Sequence, residues 1–247
     1  MTRPPRLEAL DGSPEAVRRL TPVGRLWYAA YGSNMHLDRL TCYLAGGRPH
    51  GGLRTYPGCR DPRRPVRTTP VMLPGQLYFA TESQVWTGGR AFYDPGPCPH
   101  AGSGLARADD APGRPGTYEL PARAYLLALS QFSDIAAQEM YREPGGDLDL
   151  TEVLTRGRAR IGPGRYETLV CAGLLDGYPV LTFTAPWSSQ DISVNPPSAA
   201  YLRHIAAGIV ASHGWSTLRA AAYLAGCPGA EGHWTAAGIA ALLTGPP

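Results

Sequence analysis

The chain has 247 residues, 43% hydrophobic and 17% charged, with a formal net charge of +3; this is the balance of a folded globular chain, and the charge is too small to imply a nucleic-acid partner. All 23 basic side chains are arginine, so no lysine can form a Schiff base, and pyridoxal-phosphate or lysine-nucleophile chemistry is excluded. No apolar run reaches the roughly 18 residues a membrane span needs, and the first twenty residues lack the apolar centre of a secretory signal, so the expected compartment is the cytoplasm.

Residues 1–24 are rich in Pro and Arg and read as a loose arm with a helical hint at Pro14–Leu20. Arg25–Tyr31 is aromatic and apolar and predicts a buried strand ending at Gly32. Asn34 is placed to cap a helix from Met35 to about Leu44, with Leu37, Leu40 and Leu44 on one face and Gly46-Gly47 as its stop. The segment from Arg54 to Arg67 carries Arg54, Arg60, Arg63, Arg64 and Arg67 among prolines and reads as a solvated surface loop in preference to an anion site. Strands are expected near Val71–Ala80 and Val85–Tyr93, followed by a long Gly- and Pro-rich loop from Asp94 to Leu120.

Ala122–Leu129 predicts a further strand, with Ser130 or Ser133 capping a short helix that runs to about Tyr141. Glu143–Asp149 is a turn. Strands at Glu167–Leu175 and Pro179–Thr184 are joined by Asp176-Gly177, a hairpin signal. After Asn195-Pro196-Pro197, a helix is predicted over Ser198–Ser212, closed by Gly214, with two short helices near Thr217–Leu224 and Thr235–Leu243. Strands and helices are segregated along the chain, which favours an α+β fold in one domain over residues 25–247. The five cysteines, at 42, 59, 98, 171 and 227, form no C-x-x-C pair. Cys98 and His100 have no second pair beside them, so neither a disulfide framework nor a metal site is expected.

Chemistry concentrates at Tyr31-Gly32-Ser33-Asn34. A strand that ends in Gly-Ser-Asn before a helix leaves backbone N–H groups unpaired and pointing outward. They suit a carboxylate, a phosphate or the oxyanion of a tetrahedral intermediate, and an ordinary helix cap explains the same spacing equally well. Ala30–Asn34 does not fit the Gly-x-Ser-x-Gly nucleophile elbow, so Ser33 is not read as a nucleophile. Glu139 lies in an otherwise nearly apolar segment, where apolar neighbours would disfavour its charged form and suit it to general-base work; an exposed helix charge is the ordinary alternative.

Trp27–Met35 resembles the signature of the γ-glutamylcyclotransferase-like superfamily, in which an aromatic strand runs into Tyr-Gly-Ser-Asn. In the expected order follow Trp86-Thr87-Gly88-Gly89, similar to that family's Trp-x-Gly-Gly strand; Ala122–Leu129 with Gln138-Glu139, similar to its catalytic-glutamate segment; Cys171–Leu175, similar to a later barrel strand; and Pro196-Pro197-Ser198 with Tyr201, similar to the start of its C-terminal helix. The resemblance implies a small closed mixed β-barrel with peripheral helices. It implies a cofactor-independent reaction in which a substrate's own α-amine attacks its γ-glutamyl amide, releasing 5-oxoproline and a free amine. Glu139 would be the catalytic base, and Tyr31, Gly32, Ser33, Asn34 and Met35 would bind substrate, together with Tyr141 and, if its strand face meets the cavity, Arg90. The implied partner is a small γ-glutamyl molecule, with no nucleic acid, membrane or metal involved, and the protein would be a monomer or homodimer. The N-terminal arm, the loop at about 94–120 and the last two helices exceed what a minimal member needs. Two other readings stay open: an amidohydrolase or acyl-transfer enzyme on the same fold, and a non-catalytic binding module, which a Glu139 turned away from Gly32–Asn34 would favour.

Overall fold

A computed structural model describes residues 3–48, 54–96 and 119–244. In chain order the elements are α1 (Pro14–Leu20), β1 (Arg25–Ala30), a 3-10 turn (Ser33–Met35), α2 (Leu37–Ala45), β2 (Arg67–Pro74), β3 (Gln76–Ala80), β4 (Arg90–Asp94), β5 (Glu119–Ala128), α3 (Leu129–Glu139), α4 (Thr151–Arg156), β6 (Arg158–Arg160), β7 (Thr168–Leu175), β8 (Tyr178–Thr184), α5 (Ala199–His213), α6 (Thr217–Ala225) and α7 (Ala236–Thr244). The aromatic strand β1 lies inside a six-stranded mixed sheet of order β2-β5-β1-β8-β7-β6, antiparallel to β5 and parallel to β8. Its side chains alternate between the two sheet faces. Trp27 and Ala29 enter a core shared with α5, α6 and α7, whereas Leu26, Tyr28 and Ala30 enter one shared with α2, α3 and α4.

Among the described residues, backbone ladders form this sheet and a separate β3–β4 ribbon, and they close no ring. The ribbon meets the sheet through a side chain: Thr184 Oγ1 accepts from the Tyr93 N–H (3.0 Å) and donates to the Tyr93 carbonyl (2.6 Å). The single strand expected at Val71–Ala80 is therefore two strands in two sheets, broken at Gly75. There φ is +114°, and a Cβ would lie 2.2 Å from the Asp94 carbonyl, so only glycine fits the turn. The strand expected from Val85 begins only at Arg90, because the Ser83 hydroxyl accepts from the Val85 and Trp86 N–H groups and folds that stretch into a turn. Gly89 then donates to the Pro196 carbonyl (2.7 Å), and a Cβ there would sit 1.9 Å from the Asn195 oxygen. This close approach ties the Trp-Thr-Gly-Gly turn to the start of α5.

The N-terminal stretch is docked, not loose. Glu8 pairs with Leu174 in both directions, and Leu10, Val17 and Val23 are buried in the α2–α3 core. Apolar residues spaced along a Pro-rich arm did not signal this contact, whose partners lie more than a hundred residues away. The helix α4 and strand β6 were not anticipated. Ser133 does not cap α3: it lies inside the helix, donating to the Leu129 carbonyl (2.8 Å) and accepting from Leu148 N–H (3.0 Å), while the Gln131 side chain takes the Ala128 N–H (3.0 Å). The β7–β8 hairpin turns at Asp176-Gly177, both at positive φ, as its sequence implies. Ser198 caps α5 by accepting from the Tyr201 N–H, and Gly214 ends that helix in the left-handed conformation. Among the described residues, no helix is long and apolar enough to cross a membrane. The expected loop at Asp94–Leu120 falls largely on residues 97–118, which lie outside the described residues, as do Cys98 and His100.

Candidate active site

The chain leaves β1 at Tyr31, whose hydroxyl donates to the Phe183 carbonyl of β8 (2.9 Å). Gly32 follows, and a Cβ on it would come within 3.2 Å of the Tyr201 hydroxyl, so a small residue keeps this corner open. The 3-10 turn is held from beneath: Tyr125 donates to the Asn34 and Met35 carbonyls (2.9 and 3.0 Å), and Arg123 Nη1 to the Met35 carbonyl (3.1 Å). Among the described residues, the N–H groups of Gly32, Ser33 and Asn34 find no protein acceptor. Asn34 is not the cap of α2, whose N-cap is His36 without a side-chain bond. Its amide is used elsewhere, donating to Glu139 Oε1 (3.0 Å) and lying 3.3 Å from the Tyr28 hydroxyl.

Glu139 is the last residue of α3, 105 positions beyond Asn34, and both line one cavity with an empty volume of about 690 Å³, counting the solvent at its mouth. Tyr43, from α2, also donates to Glu139 Oε1 (2.6 Å). Among the described residues Oε2 has no donor, so one carboxylate oxygen is fixed and the other is left without a protein partner. Burial and then the Glu139 charge push the Tyr43 hydroxyl far above the ordinary tyrosine range, and Tyr28 is raised by the same two causes. Both therefore stay protonated around the carboxylate. The surroundings of Glu139 differ from the apolar ones expected. Phe132, Ile135 and Ala136 of α3 are buried in the core, whereas Glu139, at the helix end, projects among Asn34, Tyr43 and Arg39.

The expected site residues Tyr31, Gly32, Ser33, Asn34, Arg90, Glu139 and Tyr141 all line this cavity. Met35 does not. It is fully buried beneath α5, where a Cβ on Gly208 would lie 2.6 Å from its own, so it supports the turn from below and does not line this cavity. Arg90 faces the cavity, with its Nη1 3.3 Å from Thr81 Oγ1.

Sequence reasoning missed three further arginines of the cavity wall, Arg39, Arg54 and Arg165. Arg39 is 5% exposed, donates to the Tyr56 hydroxyl (2.6 Å), and stands over the rings of Tyr56 (4.8 Å), Tyr43 (5.4 Å) and Trp86 (5.6 Å). Burial opposes its charge, but Tyr43, Tyr56 and the Glu139 carboxylate outweigh that and hold its pKa above the ordinary arginine value. The available signal was the spacing of Arg39 and Tyr43, four apart on one helix and hence on one face. Arg54 binds the Gln138 carbonyl (3.1 Å) and so leaves the surface-loop reading of 54–67. The other arginines of that loop that form pairs do so outside the cavity: Arg60 with the buried Asp134 and with Asp147, Arg63 with Asp61, and Arg67 with Asp176. Among the described residues, no three His, Cys, Asp or Glu side chains come together as metal ligands.

No family model matches the chain. It is 29% identical over 215 residues to histone deacetylase 5 of Arabidopsis thaliana, an alignment that covers 81% of this chain and 30% of that protein, so the chain spans less than a third of the curated relative it matches. Among solved structures it is similar to an uncharacterized protein of Homo sapiens (TM-score 0.39, 16% identity) and to a γ-glutamyl cyclotransferase (TM-score 0.38, 16% identity), each covering 76% of this chain and 80% of the other. Both structural likenesses are distant.

Proposed function

We propose that the chain is a γ-glutamyl cyclotransferase-like enzyme, cleaving a γ-glutamyl amide of a small molecule by attack of the substrate's own α-amine. The observation that carries this reading is the convergence of Glu139 and the Tyr31–Asn34 turn in one cavity, with Glu139 Oε1 3.0 Å from Asn34 Nδ2. The order of the resembling motifs supports it. Glu139 facing the turn also disfavours a purely non-catalytic module.

In this scheme the free Oε2 of Glu139 takes a proton from the substrate α-ammonium, whose pKa of about 8 in a free peptide makes the transfer feasible near neutrality. The amine nitrogen then bonds to the γ-carbonyl carbon, closing a five-membered ring. Because attack is intramolecular, orientation can supply several kcal/mol of the barrier. The carbonyl oxygen becomes an oxyanion facing the unpaired N–H groups at Gly32–Asn34. As the C–N bond breaks, Glu139 returns the proton to the leaving amine, and the ring nitrogen releases its second proton to solvent, giving 5-oxoproline and a free amine.

The test is incubation with a panel of γ-glutamyl amides, with mass-spectrometric detection of 5-oxoproline. Glu139→Gln keeps an oxygen for Asn34 and Tyr43 but removes the base, and is expected to slow turnover by about 10²–10⁴-fold. Equal turnover by this variant would overturn the mechanism. Release of glutamate, or formation of a new amide, in place of the lactam would assign hydrolysis or acyl transfer instead.

A further inference from the structure

The charge of the cavity is lopsided. Among the described residues, four guanidinium groups, from Arg39, Arg54, Arg90 and Arg165, line it against a single carboxylate, Glu139. Two of them are already engaged. Arg39 is held by Tyr56 and by the Glu139 charge, and Arg54 by the Gln138 carbonyl. Arg90 and Arg165 are not so placed. Among the described residues neither forms an ion pair. Within the same residues Arg90 has only the Thr81 hydroxyl as a hydrogen-bond partner, and the buried Nε of Arg165 has no acceptor. Burial, and then the neighbouring Arg165 charge, lower the pKa of Arg90. Two neighbouring half-buried cations with no counter-ion among the described residues are costly to hold in a fold. Tyr141 offsets part of this, with the Arg165 guanidinium 4.9 Å from its ring centre and that of Arg54 at 4.4 Å. Tyr141 itself is 48% exposed and held at φ +60°, a strained conformation for a tyrosine.

In the proposed reaction the substrate α-carboxylate is one carbon from the amine that must reach Glu139, which places it near Glu139 and Arg39, whose charge feels the Glu139 carboxylate, and leaves this pair for another part of the substrate. We infer that the part of the substrate beyond the scissile amide carries a compact group with two negative charges, a phosphate or two neighbouring carboxylates, held by Arg90 and Arg165. Guanidinium forks match both chemistries through paired N–H donors. The inference rests on the cyclotransferase reading of the same cavity.

Two measurements test it. In the first, inorganic phosphate and malonate are titrated into the protein by calorimetry, and the tighter probe names the phosphate or the dicarboxylate source. Arg90→Gln and Arg165→Gln should each weaken that binding at least tenfold while retaining the wild-type circular dichroism, and Glu139→Gln should bind at least as tightly as wild type. Unchanged affinity in both arginine variants would overturn the inference. The second measurement needs no variant: the wild-type KM for γ-glutamyl-aspartate or γ-glutamyl-phosphoethanolamine should lie at least tenfold below that for γ-glutamyl-methylamide, and equal values would overturn the inference even if 5-oxoproline forms. If instead no γ-glutamyl compound yields 5-oxoproline while the anion still binds through Arg90 and Arg165, the reaction reading falls and the anion site stands.

Discussion

Replacing Arg60 by alanine tests how the arginine-bearing loop is fastened to the helix that carries Glu139. Asp134, on α3, is fully buried and accepts from the Arg60 backbone N–H (2.8 Å) and from Arg60 Nε (3.0 Å). Removing one partner of a buried ion pair typically costs about 3–5 kcal/mol. Two features reduce that here. The Arg60 side chain is 40% exposed and partly screened by water, and the backbone donor survives the substitution. The link to Asp147, itself 48% exposed, adds little. The expected loss is therefore about 1.5–3 kcal/mol, which in a chain of this size lowers Tm by roughly 3–12 °C. Urea unfolding followed by circular dichroism measures it. A loss below about 0.5 kcal/mol would show that the buried carboxylate is satisfied by the backbone alone and would refute the reasoning. Because the same loop carries Arg54 to the Gln138 carbonyl, beside Glu139, the variant should also raise KM.

Tyr43→Phe removes the 2.6 Å bond to Glu139 and leaves the ring packing intact; a hydrogen bond to a charged group is worth about 1.5–3 kcal/mol, so turnover should fall roughly 10–100-fold with the fold retained, as steady-state kinetics and near-ultraviolet dichroism would report. Gly208→Ala forces a methyl against Met35, the floor of the 3-10 turn, and should cost about 1–3 kcal/mol in thermal melts together with a fall in kcat. Burial alone would raise the Asp94 carboxyl, but bonds from the Ser189 N–H and hydroxyl and from the Gly96 N–H outweigh it and hold the pKa below the ordinary aspartate value. A carboxyl depressed on folding adds stability above its unfolded pKa and loses it as pH falls through the folded value. Wild-type Tm should thus drop more steeply than that of Asp94→Asn as pH falls below about 4, and parallel profiles would contradict this assignment.

The parts of the fold that could be read in advance are those with local causes. The aromatic run of β1, the Asp176-Gly177 hairpin and the Ser198 and Gly214 ends of α5 each follow from neighbouring residues and stand where expected. The misreadings have distant causes. Gly75 breaks an apparently continuous strand because Asp94 lies against it, and the Gly88-Gly89 turn exists because the start of α5 lies against it. Leu10, Val17 and Val23 look like stray apolar residues until α2, α3 and α4 supply the core they enter. At the site, Glu139 was singled out for apolar neighbours that in fact point into that core, while the groups that hold its carboxylate, Asn34 and Tyr43, come from the other half of the chain. The wall of arginines was invisible for the same reason, since its members are drawn from α2, two loops and β4.

By itself, then, the sequence determined the Tyr31–Asn34 turn at the end of a buried strand, and it marked Glu139 as the carboxylate to follow. Strand and helix periods and glycine conformations act over a few residues, and there the chain needs no partner to declare itself. Only the tertiary structure decided that the turn and Glu139 face each other across one cavity, that Met35 lies beneath that cavity and not in it, and that Arg90 and Arg165 line the same cavity without an ion pair among the described residues. Those are distances between segments far apart in the chain, and they are set when the two cores pack against opposite faces of the sheet, not by any residue's neighbours in sequence.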